Sequence, residues 1–524
     1  MLSTPARADA VLADVLERRA AEHPDKLFAR FDGGGELTYG DLATRTWTLA
    51  AALRERHGVR VGEVVAAWLP NGPEALLAWF GANAAGAVYQ PLNTAYRGAI
   101  LAHALNLGRA RVLIAHADLV ERLRGLDLPH LETIVIVGES SWDDLLADER
   151  HARPRLERPV EPWDDITILM TSGTTGASKA VRRTYVHYTL YTEVNFEGIG
   201  AGPADRFYVC APMFHGGADT PIYSMLQLGG SIAVSQGFSA SGFWRTAREH
   251  ACTIAWIHSS MSLFLHKQPP RPDDRDNPLR WVMMAPLIED FATFAERFDV
   301  RVYMVYGMTE IPCPFRVVDP VERRSLGRPV DDGVELRIVD EHDQPLGDEQ
   351  PGELVLRHTV PWAISPGYLG DPDATARVWR NGWFHTGDVF ARRADGEYYL
   401  VDRVKDSIRR RGENVSAAEV ETEILSHPEV TEAAAIGVPA ELDEEILAFA
   451  VVRADSALDA PALHRYLAER LPYFAVPRYI EFSDGLPRNP ALRVDKPRLR
   501  ELGVPATAWD REAAGIVLRR ERLA

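Results

Sequence analysis

The sequence predicts a mixed α/β chain: a large N-terminal domain of layered sheets and helices, followed by a smaller, mobile α+β C-terminal lobe. Three observations carry this. Short unbroken apolar runs alternate with segments of helical periodicity. Several of those runs end in chemically unusual polar sequences, and the texture of the chain changes after Asp402. At 524 residues the chain is also too long for one hydrophobic core. No fixed-period repeat or low-complexity tract competes with this reading.

Taken in order, helical periodicity is clear in ADVLERRAAEH (13–23) and in TYGDLATRTWTLAAALRERHG (38–58), the second stopping at Gly58 as helices often do. The apolar runs follow. ITILM leads into TSGTTG, FYVCA into PMFHGG, TIAWI into HSS, WVMMA into PL, and VYMVY into GMTE. Such runs are what buried parallel strands look like, and open α/β sheets bind ligands beyond the carboxyl ends of their strands. Five strand ends are therefore expected to converge on one site. Beyond Asp402, strands are expected near TEAAAIGVP, ILAFAVVRA and RYIEFSDG, with helices at SAAEVETEIL and APALHRYLAERL. Ser416 followed by Glu419 has capping-box spacing and predicts a helix start there. The domains are read as 1–402 and 403–524, with the boundary between Val401 and Asp406.

Composition excludes several classes. Charged residues make up 25% and apolar residues 46%, which is globular. A formal net charge of -17 disfavours nonspecific binding to nucleic acid or anionic membranes. The three cysteines, Cys210, Cys252 and Cys313, have neither disulfide-framework nor zinc spacing. No signal segment and no apolar run of membrane-spanning length is evident, so the reading is a soluble cytoplasmic protein.

The chemistry concentrates in ILMTSGTTGASKA (168–180). Thr171, Ser172, Thr174, Thr175 and Ser178 cluster around Gly173 and Gly176, with Lys179 behind. Glycines let backbone N–H groups approach an anion, hydroxyls add donors, and a lysine supplies charge. This is a phosphate loop by chemistry, although GxxxxGK[ST] is absent.

With YGMTE (306–310), HTGD (385–388), VDRVKD (401–406) and RRRGENVSAAEVE (409–421), the loop resembles the signature of the adenylate-forming superfamily. That superfamily contains acyl-CoA synthetases, luciferases and the adenylation domains of peptide synthetases. The ordered motifs extend over nearly the whole chain and look most like medium-chain or carnitine-type acyl-CoA ligases, as does GFSASGFW (237–244). The resemblance implies ATP, Mg2+ and, for this branch, CoA. It implies nucleotide contacts from Thr171 through Gly176, Lys179, Tyr306, Thr309, Asp388 and Arg403, with Glu310 on Mg2+. A hard cation between phosphate oxygens wants such a carboxylate. It implies an acid pocket from His215, Gly216, Gly217, His258, Gly307 and Met308, a hinge at Lys405, and an acceptor side at Arg411, Gly412 and Glu413. The run Arg409, Arg410 and Arg411 suits the phosphates of CoA, although three adjacent side chains cannot all face one ligand.

The sequence departs from the family in two places. Ser178 and Ala180 flank Lys179 where the family usually has proline and glycine; neither removes a required donor, and both read as drift. LPRNPALRVDK (486–496) carries Leu492 and Arg493 where the family has glycine and its catalytic lysine. Arginine keeps the positive charge with a different reach and geometry, and Lys496 lies three positions late. The expected activity is ATP-dependent activation of a carboxylic acid as acyl-AMP, with pyrophosphate release and then transfer to CoA. Alternatives are an amide-forming ligase, a diazotase activating nitrite for an arylamine, or a noncatalytic nucleotide-binding protein. The acid's identity and the oligomeric state are not encoded legibly.

Overall fold

The computed structural model describes residues 3–147, 152–171, 178–403, 407–410, 412–441, 443–453, 456–488 and 494–518. The first predicted helices form at Leu12–Glu22 and Tyr39–His57. The second begins where Thr38 accepts from the Asp41 N–H at 3.0 Å and the Asp41 carboxylate accepts from the Thr38 N–H at 3.1 Å. It ends where Gly58 takes φ 65°, a left-handed conformation that a glycine adopts without strain.

Among the described residues the large domain contains three sheets. In the eight-stranded sheet, Arg206–Val209, Ile254–Ile257, Trp281–Met284 and Arg301–Met308 run parallel, so four of the five predicted strand ends lie along one edge. The fifth, on Asp165–Thr171, belongs to a separate six-stranded sheet. Two of the five strands turn back rather than feeding a helix: Asp165–Thr171 pairs antiparallel with Lys179–Thr184, and Arg301–Met308 with Ile311–Val318. A third sheet, antiparallel and built from residues 325–403, was not anticipated. Its strand Val334–Val339 alternates half-buried Val334 and Leu336 with exposed Glu335 and Arg337, the pattern of a sheet with one wet face.

The smaller C-terminal domain consists of a ribbon, Ser407–Arg410 against Glu413–Ser416, and a four-stranded sheet. The expected strands are Val430–Pro439, Glu444–Val452 and Tyr479–Phe482, and the expected helices are Ala417–Leu425 and Ala460–Ala468. Its core reaches into the large domain: Ile100 is buried among Val415, Val420 and Leu467, with Tyr96 packed alongside. No helix among the described residues is long and apolar enough to cross a membrane.

Candidate functional site

The tight turn joining Arg301–Met308 to Ile311–Val318 puts Thr309 and Glu310 at its tip, because Met308 pairs with Ile311. Glu310 is only 6% exposed, and its Oε1 accepts from the Tyr368 hydroxyl at 2.9 Å. Lys179 Nζ lies 4.7 Å from the centre of the Tyr368 ring, a cation–π distance. The pairing is built into the backbone. Val181 bridges to Tyr368, and the Leu369 N–H donates to the Ala180 carbonyl at 2.8 Å. One tyrosine thus joins the lysine behind the phosphate loop to the carboxylate of YGMTE. Burial, reinforced by Glu310, pushes the Tyr368 phenol well above its usual range, so it remains a donor. Thr171 is the cross-strand partner of Lys179, so the loop leaves and returns at one point. Ser172, Gly173, Thr174, Thr175 and Gly176 lie outside the described residues, as do Lys405, Arg411 and Arg493.

Asp388 is brought to the same hairpin. Its Oδ2 accepts from the Tyr306 hydroxyl at 2.8 Å, and in the sheet its cross-strand partner is Arg403. Tyr306 was expected beside an adenine. Its ring is buried edge-on against Phe390, 4.9 Å between centroids, and its hydroxyl holds Asp388. Glu353 organises the HTGD turn by accepting from His385 Nδ1 at 2.9 Å and the Gly387 N–H at 2.8 Å. Burial works to raise the Glu353 carboxyl, but the hydrogen bond and charge of His385, with the Gly387 N–H and Arg380, outweigh it and keep the group ionised.

A second constellation joins the two domains. His215 precedes the helix Gly216–Leu228, and its Nε2 donates to Glu413 Oε2 at 2.9 Å, on the ribbon of the C-terminal domain. His258 stands at the start of the helix Ser259–His266, and its pKa is held down to about 4 by burial, then by Arg409 and His215. It is therefore neutral at physiological pH. Gly412 supplies the ribbon's turn at φ 85°, and its N–H donates to Asp443 Oδ2 at 3.0 Å. Two of the pocket glycines are required by close approach: a Cβ on Gly217 would lie 2.4 Å from the Trp256 ring, and one on Gly307 2.3 Å from Cys313 Sγ. Gly216 has ordinary room, and Met308 packs against the apolar core behind the hairpin.

Two of the segments singled out in the sequence pack inward. Arg410 does not face a ligand: it is 2% exposed, donates to the carbonyls of Phe474 and Val476 at 2.9 and 3.0 Å, and pairs with Glu445 at 2.7 Å. It braces the small domain. The segment GFSASGFW packs on the apolar core, with Trp244 stacked on Phe298 at 4.2 Å and Phe238 packed against the same core. Lys496 pairs with Glu421 at 2.9 Å inside the small domain, in keeping with its exclusion as a substitute for the catalytic cation.

Sequence reading missed Tyr368 and Glu353, and it also missed a buried ion pair beneath the site. Arg183 and Asp219, 3% and 0% exposed, meet at 3.2 Å, and Arg183 also donates to Thr220 at 2.9 Å. The Tyr188 hydroxyl donates to Asp219. The pair ties the strand behind the phosphate loop to the first turn of the helix that His215 opens.

Among the described residues no group of three or more His, Cys, Asp or Glu could hold a metal by itself. Glu310 alone, with Oε1 on Tyr368, suits a Mg2+ that draws its remaining ligands from phosphate and water. A lysine, a carboxylate and a loop rich in donors, beside the buried Asp388, match the chemistry of a nucleotide triphosphate.

Comparison with known proteins agrees with this geometry. The AMP-binding enzyme family profile matches residues 16–369, and that of the AMP-binding enzyme C-terminal domain matches residues 419–491. A sulfoacetate–CoA ligase of Cupriavidus necator is 33% identical over 510 residues, covering 93% of this chain and 97% of that one. A crotonobetaine/carnitine–CoA ligase of Salmonella arizonae is 30% identical over 508 residues, covering 92% and 97%. Among solved structures, an amide bond synthetase from Marinactinospora thermotolerans superposes with a TM-score of 0.80 at 25% identity, covering 93% of this chain and 99% of that one. An o-succinylbenzoate CoA synthetase from Bacillus subtilis reaches 0.82 at 23% identity, covering 93% and 98%. The chain therefore belongs to the AMP-binding enzyme family, the adenylate-forming enzymes.

Proposed function

We propose that this protein is an ATP-dependent acid:CoA ligase of the cytoplasm. In the first step a carboxylate oxygen of the acid attacks the α-phosphorus of ATP, the bond to the β-phosphate breaks, and pyrophosphate leaves with acyl-AMP remaining. In the second, the thiol of CoA attacks the acyl carbon and AMP departs with the carboxylate oxygen. The observation that carries this reading is the joining of Lys179 and Glu310 through Tyr368, beside a ribbon that brings Glu413 to His215. Catalysis of phosphoryl attack is chiefly positioning and neutralisation of charge, which a lysine and a carboxylate-held Mg2+ supply.

In this reading Thr171, Lys179, Thr309 and Asp388 with Arg403 hold the nucleotide, Glu310 holds Mg2+, and Arg493 is the cation between acid and α-phosphate. Ser172 through Gly176 wrap the phosphates. His215, Gly216, Gly217, His258, Gly307 and Met308 receive the acid, and Arg411, Gly412 and Glu413 face CoA. The lobes divide at 402/403 and turn about Lys405, a boundary residue able to absorb a dihedral change. The relatives are named for small polar acids, which favours that class over long fatty acids. A second reading, transfer to an amine, is favoured by the likeness to the amide bond synthetase and by Arg493 in the lysine's place.

Pyrophosphate release from MgATP, measured against a panel of short polar acids and against nitrite with an arylamine, each with and without CoA or an amine, tests these readings. Acid-dependent release with a CoA thioester as product is expected. An amide product without thioester selects the second reading, and no release with any substrate contradicts both.

A further inference from the structure

Ser178, the residue before Lys179, was read from sequence as drift from a proline. The structure gives it two partners in the other domain. The carboxylate of Glu419 accepts from the Ser178 N–H at 2.8 Å, and the Ser178 hydroxyl donates to the same oxygen. Glu419 sits in the first turn of the helix Ala417–Leu425, and its own N–H donates to the capping Ser416 hydroxyl at 3.3 Å. Its side chain does not close the capping box; it crosses to the large domain. Opposite, His103 Nε2 donates to the Ser178 carbonyl at 2.8 Å, so Ser178 is held from both sides.

The surroundings make this contact consequential. Tyr96 and Ile100 pack into the small domain's core next to it, and burial raises the Glu419 carboxyl, opposed by the Ser178 hydrogen bonds and the nearby His103. Tyr96 is pushed up in turn by burial and by Glu419 and Glu413. A carboxylate drawn out of water is stable only where donors replace it, and leaving one unmatched is costly. Both donors come from Ser178. A proline there would offer neither an N–H nor a hydroxyl.

We propose that Glu419 and Ser178 form a latch between the small domain and the exit of the phosphate loop. In that role they are positioning residues for transfer of the activated acid to CoA, the step for which the same domain brings Glu413 to His215. The latch rests on the ligase reading above for its catalytic role, and on the structure alone for its role in docking. It acts one residue from Lys179, so it fixes the loop's exit strand and the ribbon at once.

The test compares S178P, S178A, E419Q and S178P/E419Q with the parent protein, using two half-reactions and one distance. S178P is expected to slow thioester formation from supplied acyl-adenylate at least about fivefold more than it slows acid-dependent ATP–pyrophosphate exchange. S178A keeps one donor and is expected to fall between. E419Q removes the stranded charge, so the double variant is expected to recover at least about threefold over S178P. Spin labels at H130C and E469C, on exposed positions of the two domains, report docking without catalysis. S178P is expected to broaden their distance distribution and the double variant to narrow it. Equal slowing of both half-reactions, a double variant no better than S178P, or an unchanged distance distribution would overturn the latch. Where S178P does not fold, the S178A and E419Q half-reactions and distances decide it. Absence of exchange in the parent protein with any acid would instead count against the ligase reading, while the label distances still test the latch.

Discussion

Tyr368 is the residue on which the site geometry turns, since its ring carries Lys179 and its hydroxyl carries Glu310. Y368F keeps the ring and removes only the hydrogen bond to a charged acceptor. It is expected to slow ATP–pyrophosphate exchange about tenfold with little loss of stability, whereas Y368A should also lower the melting temperature. Exchange unchanged in Y368F would remove Tyr368 from the site. R493A is expected to slow exchange far more than thioester formation from supplied acyl-adenylate; stopped-flow assay of the two steps checks it, and equal slowing would contradict the assigned role. The residues that the fold brings together were legible wherever a motif concentrated unusual chemistry, as at Lys179, Glu310, Asp388 and His215. Tyr368 was not legible, because a lone aromatic in SPGYLGDP reads as core until the fold sets it beside a strand some 190 positions earlier. The contact made by Ser178 was not legible for a related reason: its partner is a glutamate some 240 positions later in the other domain.

Elements built from one period were readable, and those whose partners are distant were less so. The parallel strands announced themselves as unbroken apolar runs, and the helix from Tyr39 to His57 by its cap and its glycine stop. In the antiparallel sheet of residues 325–403, the strand Val334–Val339 was missed because it carries charge on alternate, exposed positions, which resembles loop composition. The Arg183–Asp219 pair joins two elements, and its net worth is a matter of geometry. D219N strands a buried guanidinium and is expected to cost about 3–5 kcal/mol in urea unfolding, while R183M/D219L costs less than either single change. A double variant worse than both would contradict this. The π-helical turn Thr192–Phe196 carries Glu193, whose pKa burial raises to about 7, with Glu197 and Asp331 adding. A carboxyl raised on folding binds its proton more readily in the folded state, so its contribution is present at low pH and is lost as pH rises through about 7. E193Q is therefore expected to raise the melting temperature over the parent at pH 8 and to leave it nearly unchanged at pH 5. The reverse order in a pH series of thermal melts would contradict the sign.

At the scale of the molecule, the sequence conveyed a large domain and a smaller C-terminal one. How the small domain is docked was not legible, because it depends on contacts such as Glu413 with His215 and Glu419 with Ser178 that no local pattern encodes. An enzyme that passes an acid through acyl-AMP to CoA must hand one carboxylate oxygen to AMP, and isotope transfer follows that atom. With an acid labelled by 18O in both carboxylate oxygens, MgATP and CoA, mass spectrometry is expected to find AMP carrying one 18O per thioester formed. Label appearing in phosphate with ADP as the nucleotide product, or unlabelled AMP, would contradict it.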